Sequence, residues 1–169
     1  MSTTAPTFRP IQPDDLPFLY AVYASTRLDE LAPLGWSVEQ QTAFLTQQFL
    51  AQHQYYQSVF ADAAFLLILR DDQAIGRIYI ARRPEHIILI DIALLPEYRN
   101  QGLGTPILED LLAEAATTGR PVQIHVEKFN PALRLYERLG FTRVDDRGVY
   151  WFMEWHPHHQ GDHNPAPVV

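Results

Sequence analysis

The stretch Arg99-Asn100-Gln101-Gly102-Leu103-Gly104-Thr105 decides how the rest of the chain is read. It follows an apolar run, residues 86–94, and precedes Ile107, Leu108, Leu111, Leu112 and Ala115, which recur at helical spacing. A helix starting at such a turn offers main-chain N–H groups with no intrahelical partner, and its dipole favours negative charge there. Glycines at 102 and 104 let an anion approach the backbone with no Cβ in the way, while Arg99 and Asn100 can add side-chain donors. Pro106 lacks an N–H, which the first helical turn tolerates. Phosphate is the natural ligand of such a turn, although an ordinary glycine-rich link between strand and helix has the same look. Two nucleotide fingerprints do not fit. A P-loop needs Gly-Lys-Ser/Thr after four intervening residues, and a dinucleotide turn needs a third Gly or Ala where Ile107 stands.

Working outward, residues 8–11 predict a short edge strand. Gln12-Pro13-Asp14-Asp15 starts a helix whose apolar positions Leu16, Phe18, Leu19, Val22 and Tyr23 carry it to about Thr26. Residues 31–36 read as a loop. Ser37 with Gln40 forms a capping-box pattern for a second helix, striped by Phe44, Leu45, Phe49 and Leu50 and ending near His53. Residues 65–69, 74–81 and 86–94 predict three antiparallel strands in a meander. After the helix of residues 104–117, closed by Gly119, come a strand at 122–126, a helix at 130–139 closed by Gly140, and a strand pair at 141–144 and 149–155. The fold class is α/β with a mixed sheet. Residues 1–155 read as one domain and 156–169 as a disordered tail.

A length of 169 residues with 47% hydrophobic content suits one domain, and no apolar run approaches the roughly 20 residues that span a bilayer. Without a basic flank and apolar core at the N-terminus, a cytoplasmic location is expected. The absence of cysteine removes disulfides, thiolate metal sites and a Cys nucleophile. A net charge of −7, from 13 Lys plus Arg against 20 Asp plus Glu, lacks the basic footprint of a nucleic-acid binder. His156, His158, His159 and His163 cluster as a compositional bias of the tail rather than a metal site, and no metal is expected.

The longer run Ile92-Ala93-Leu94-Leu95-Pro96-Glu97-Tyr98-Arg99-Asn100-Gln101-Gly102-Leu103-Gly104-Thr105 resembles motif A of the GNAT superfamily of N-acetyltransferases. Asn130-Pro131-Ala132-Leu133-Arg134-Leu135-Tyr136-Glu137-Arg138-Leu139-Gly140-Phe141 resembles motif B. The resemblance covers about residues 8–155 and is strongest over 88–141. It implies the GNAT fold, a mixed and mostly antiparallel sheet of about seven strands flanked by about four helices. It implies acetyl-CoA as co-substrate, with the strand segment Ile92, Ala93 and Leu94 along the thioester and residues 99–105 around the pyrophosphate. It also implies direct attack of a deprotonated amine on the thioester, which suits a chain without cysteine.

By the same resemblance Tyr136 is the general acid for the leaving thiolate, a role a phenol's pKa permits, though a Tyr packed on an amphipathic helix would look alike. Asn130 matches the Asn that contacts the pantetheine arm, one residue nearer the Tyr than in many members. His125, flanked by Ile124 and Val126, is the first candidate base, against a histidine satisfied by backbone. Asp91 is the alternative base. It interrupts an apolar strand, where a carboxylate is costly unless paired or functional, and could instead pair with Arg77 or accept from Tyr79. Glu127 is third, and a water chain could replace all three. Trp36, Phe44, Phe49, Tyr55 and Tyr56 lie where the family's variable helices wall the acceptor pocket, or are simply core or dimer surface. The expected acceptor is a primary amine of a small molecule, or a peptide N-terminus. A homodimer, another acyl-CoA, and a non-catalytic CoA-binding module of the same fold stay open.

Overall fold

The computed structural model describes residues 4–157. Residues 1–3 and 158–169, including His158, His159 and His163, lie outside the described residues. The strands are Thr7–Pro10 (β1), Ala64–Arg70 (β2), Gln73–Arg82 (β3), Ile87–Leu94 (β4), Val122–Glu127 (β5), Thr142–Arg147 (β6) and Tyr150–Trp155 (β7). They form a seven-stranded sheet in the order β1-β2-β3-β4-β5-β7-β6. The ladders β1–β2, β2–β3, β5–β7 and β6–β7 are antiparallel, and β4–β5 is parallel. The α-helices are Leu16–Leu31 (α1), Val38–Val59 (α2), Gly104–Thr118 (α3) and Leu133–Arg138 (α4). This is the mixed, mostly antiparallel α/β architecture expected. The described residues separate into two compact units, 4–81 with Asp91–Leu103, and Arg82–Ile90 with 104–157.

In the first unit α1 and α2 close on an apolar cluster of Leu19, Tyr23, Ala24, Leu31, Leu45, Phe49 and Leu67. The Ser37 hydroxyl accepts the Gln40 N–H at 3.2 Å and the Gln40 side chain accepts the Ser37 N–H at 2.9 Å, so the capping box forms. Both helices outrun their expected ends at Thr26 and His53. Leu31 is buried and extends the α1 stripe by another turn, and no Gly or Pro interrupts α2 before it stops at Phe60. The expected loop at residues 31–36 contains a 3-10 turn, Ala32–Leu34, followed by Gly35 in the left-handed region at φ 65°. The β2–β3 ladder shifts register between Ile68 and Leu69, where Ile68 faces Gly76 and Leu69 faces Ala74. Ile75 is the extra residue of this bulge.

In the second unit α3 buries Ile107, Leu108, Leu111, Leu112 and Ala115, the stripe read from spacing. β5 alternates, with Val122, Ile124 and Val126 buried and His125 exposed. The helix expected at residues 130–139 is shorter, Leu133–Arg138. Its approach is a turn in which the Asn130 side-chain oxygen accepts the Ala132 N–H at 2.8 Å, an arrangement Pro131 permits because it has no N–H of its own to satisfy. β6 is exposed throughout and runs to Arg147, three residues past the expected end at Val144, because its pairing with β7 continues from Asp145 to Arg147.

Candidate functional site

β4 is the strand on which the site turns. Its parallel ladder with β5 comprises Ile87↔Val122, Ile88↔Gln123 and Leu89↔Ile124, yet the strand continues to Leu94. Ile87 and Leu89 are buried, while every residue from Ile90 to Leu94 is half-buried. The last residues are pressed against β3 at Gly76. A Cβ on Gly76 would collide with the Ala93 carbonyl oxygen and come within 3.0 Å of the Leu94 Cα. The Ala93 carbonyl therefore faces β3. Because main-chain groups alternate in direction along a strand, those of Ile92 and Leu94 face the opposite edge. Just beyond, the Leu95 N–H donates to the Ile75 carbonyl at 2.9 Å and ties the strand end to the bulge.

The glycine turn has the backbone of an anion cradle. Asn100 at φ 59° and Gly102 at φ 73° both occupy the left-handed region, an alternation that turns successive N–H groups toward a common point. Among the described residues, no atom beyond the adjacent chain and the helix's own backbone lies within 4 Å of where a Cβ would stand on Gly102 or Gly104. Leu103 is buried, and Gln101 is turned back so that its amide donates to the Glu97 carbonyl at 2.6 Å. What residues 100–103 offer an anion is therefore mostly main chain, followed by Gly104 and Thr105 at the start of α3. The Arg99 guanidinium, read from sequence as a donor to the anion, donates through Nε to the Leu94 carbonyl and through Nη2 to the Ser25 hydroxyl, each at 2.9 Å.

Asp91 lies in a polar cluster inside the first unit. Arg77 Nη2 is 2.5 Å from Asp91 Oδ2 and donates to the Gln52 side chain at 3.1 Å, and the guanidinium lies 5.0 Å from the Tyr79 ring centroid. Arg77 is 4% exposed and Tyr79 1%. Among the described residues, Arg77 Nε, the Tyr79 hydroxyl and Asp91 Oδ2 are buried with no hydrogen bond of regular geometry, although Asp91 Oδ2 lies in the ion pair with Arg77. Burial raises the Tyr79 phenol pKa, with Arg77 pulling the other way. His53, on α2 beside Gln52, is held below the usual histidine range, first by burial and then by the Arg77 charge. Tyr56 stands edge-on to Tyr79 at 6.1 Å. Among the other aromatics named from sequence, Phe49 is core, Trp36 packs edge-on against Phe44, and Tyr55 is exposed.

In the second unit Tyr136 is buried on α4 and meets Phe141 edge-on, with ring centroids 5.7 Å apart. The Asn130 amide oxygen is engaged in the turn before α4. His125 is exposed on β5, and its ring packs at a tilt against Phe152 with centroids 5.0 Å apart. Its Nε2 is 2.8 Å from Arg147 Nη1. An arginine only donates, so Nε2 accepts there and the ring proton sits on Nδ1. Partial burial, then the Arg147 charge, lower the His125 pKa. Glu127 is half-buried at the end of β5.

Residues 26–141, from the end of α1 through both motifs, match the acetyltransferase (GNAT) family. The chain belongs to this family. Over 87 residues it is 31% identical to a ribosomal protein bS18-alanine N-acetyltransferase of Haemophilus influenzae, a stretch that is 51% of this chain and 60% of that relative. As a GNAT fold it superposes on the PaiA N-acetyltransferase of Thermoplasma acidophilum, solved in complex with coenzyme A. The TM-score is 0.66 at 21% identity, covering 90% of this chain and 99% of that one. The ribosomal-protein-S18-alanine N-acetyltransferase of Escherichia coli gives a TM-score of 0.57 at 22% identity, covering 94% of this chain and 98% of that one.

Within this GNAT chain, two features of the first unit lie outside the motif residues. Gly76 does carry a sequence signal, a glycine inside a strand pattern, which marks a bulge or close backbone approach. His53 carries none, because a histidine at the assumed end of a helix has no local reason to titrate abnormally. No group of three or more metal-ligating side chains is arranged to hold an ion, and no helix is long and apolar enough to cross a membrane, among the described residues.

Proposed function

We propose that the protein is an acetyl-CoA-dependent N-acetyltransferase that modifies a primary amine of a small molecule or a peptide N-terminus. The observation that carries this reading is the run of β4 past its ladder with β5, from Ile90 to Leu94, ending at an anion-cradle turn. The main chain of residues 100–105 holds the pyrophosphate, and the outward edge of Ile92 and Leu94 takes the acyl end of the co-substrate, with Ala93 turned to β3. The peptide N-terminus is supported by the bS18-alanine N-acetyltransferase at 31% identity.

In this reading the neutral amine attacks the thioester carbonyl, a C–N bond forms, and the tetrahedral adduct collapses with loss of the C–S bond. Tyr136 gives its phenol proton to the leaving thiolate and is reprotonated from solvent. Asn130 orients the pantetheine arm through its amide N–H groups, its oxygen being engaged by Ala132. His125 accepts the amine's proton. Its lowered pKa keeps the ring neutral near pH 7, the form able to accept, once Nε2 parts from Arg147. Asp91 ranks second as base because its carboxylate is already paired with Arg77.

Thermal melts with acetyl-CoA, then thiol release across a panel of primary amines and short peptides, test the reading. Saturation at about 100 times Kd stabilises by about 2.7 kcal/mol, an easily measured rise in Tm. No rise at any acetyl-CoA concentration would refute the proposal, and binding without thiol release would favour a non-catalytic module.

A further inference from the structure

Arg99 sits at the head of the glycine turn, where a cation suits phosphate, but two of its donors, Nε and Nη2, point back into the first unit. Nε donates to the Leu94 carbonyl and Nη2 to Ser25 Oγ, both at 2.9 Å, while the Ser25 hydroxyl donates to the Val22 carbonyl at 2.7 Å. The Leu94 carbonyl lies on the edge of β4 that faces away from β3, since the Ala93 carbonyl meets Gly76. One side chain thus joins the turn, the end of β4 and α1. A planar guanidinium can hold a carbonyl and a hydroxyl at two fixed directions, whereas an ammonium is a point charge on a flexible stem.

We propose that Arg99 is a positioning residue for the co-substrate, locking the phosphate-binding turn to the acyl-binding end of β4 and to α1 through Ser25, and not a charge that neutralises the phosphates. The inference rests on the reading that the protein binds acetyl-CoA. With the Leu94 carbonyl engaged by Arg99, the Leu94 N–H and the Ile92 main chain remain for the acyl end. Affinity for acetyl-CoA then depends on the fork geometry of residue 99 more than on its charge, and on a hydroxyl in α1 that has no phosphate to touch.

Isothermal titration of acetyl-CoA into the full chain and its variants, at a temperature where circular dichroism shows each one folded, separates these roles. Arg99→Lys and Arg99→Gln should both weaken binding about ten-fold, the scale of one charge-assisted hydrogen bond. Ser25→Ala should weaken it about three-fold, and the ligand-free amide resonances of Ile92 and Leu94 should move in all three. A role confined to stability would lower Tm but leave the affinity of the folded variants unchanged. Wild-type affinity in Arg99→Lys alongside a loss in Arg99→Gln would overturn the proposal in favour of a direct charge on phosphate. Unchanged affinity in all three variants would also overturn it. Should Arg99→Lys fail to fold, Ser25→Ala decides alone, because it deletes a single hydroxyl. Absence of binding by the wild type would instead remove the acetyl-CoA reading beneath the inference.

Discussion

Replacing Gly76 by alanine tests whether the end of β4 is held where the structure puts it. The new Cβ would overlap the Ala93 carbonyl oxygen and approach the Leu94 Cδ2 at 2.9 Å and the Leu94 Cα at 3.0 Å. The Cδ2 can rotate away, but the other two are main-chain atoms, so β3 and β4 must part. Overpacking of this kind costs about 1–3 kcal/mol. Lower entropy of the unfolded chain returns about 0.4–1 kcal/mol, because Gly76 lies outside the left-handed region that alanine avoids. A net loss of about 1–2 kcal/mol, at about 2–4 °C per kcal/mol for a chain this size, lowers Tm by about 2–8 °C. Differential scanning calorimetry reads this directly. Gly104→Ala is the control, since among the described residues no atom beyond the adjacent backbone lies within 4 Å of its Cβ position and its backbone is not left-handed, so its Tm should be unchanged or slightly raised. Calorimetric titration of Gly76→Ala should also show weaker acetyl-CoA binding, because the displaced segment is the acyl-binding edge. A Gly76→Ala protein melting at or above the wild type would refute the close approach of β3 to β4.

Asp91→Ala leaves Arg77 buried without its carboxylate and should destabilise by about 3 kcal/mol, whereas Arg77→Met with Asp91→Leu should recover most of that loss; equal melting of Asp91→Ala and wild type would contradict the pair. His53 has a folded-state pKa below its unfolded value of about 6.5, so the unfolded chain binds the extra proton and stability falls as pH drops from about 6.5 toward the lowered pKa. Tm measured between pH 7.5 and 5 should therefore fall less in His53→Gln than in wild type, and an unchanged slope would count against the burial of this ring. Tyr136→Phe should cut turnover by about 100-fold with little change in acetyl-CoA affinity, and full turnover would take Tyr136 out of the mechanism.

Local patterns were legible where they depend on neighbours along the chain. The Ser37–Gln40 capping box and the α3 stripe are such patterns, and each appears as spacing implies. Helix ends were less legible. Nothing near His53 stops α2, and Asn130 with Pro131 turns the expected first residues of α4 into a side-chain-bonded turn. The amino-acid order also carried both motifs and so the family, because a glycine turn between strand and helix is a short-range arrangement.

By itself, then, the sequence determined the element order, the glycine turn between strand and helix, and the family. Tertiary structure decided what the charged and missing side chains do. Arg99 turns back to Leu94 and Ser25, Arg77 takes Asp91, Arg147 meets His125, and Gly76 makes room for Ala93. These partners lie 5, 74, 14, 22 and 17 positions apart in the chain. No local rule links residues at such separations, since strand register and helix packing choose their neighbours.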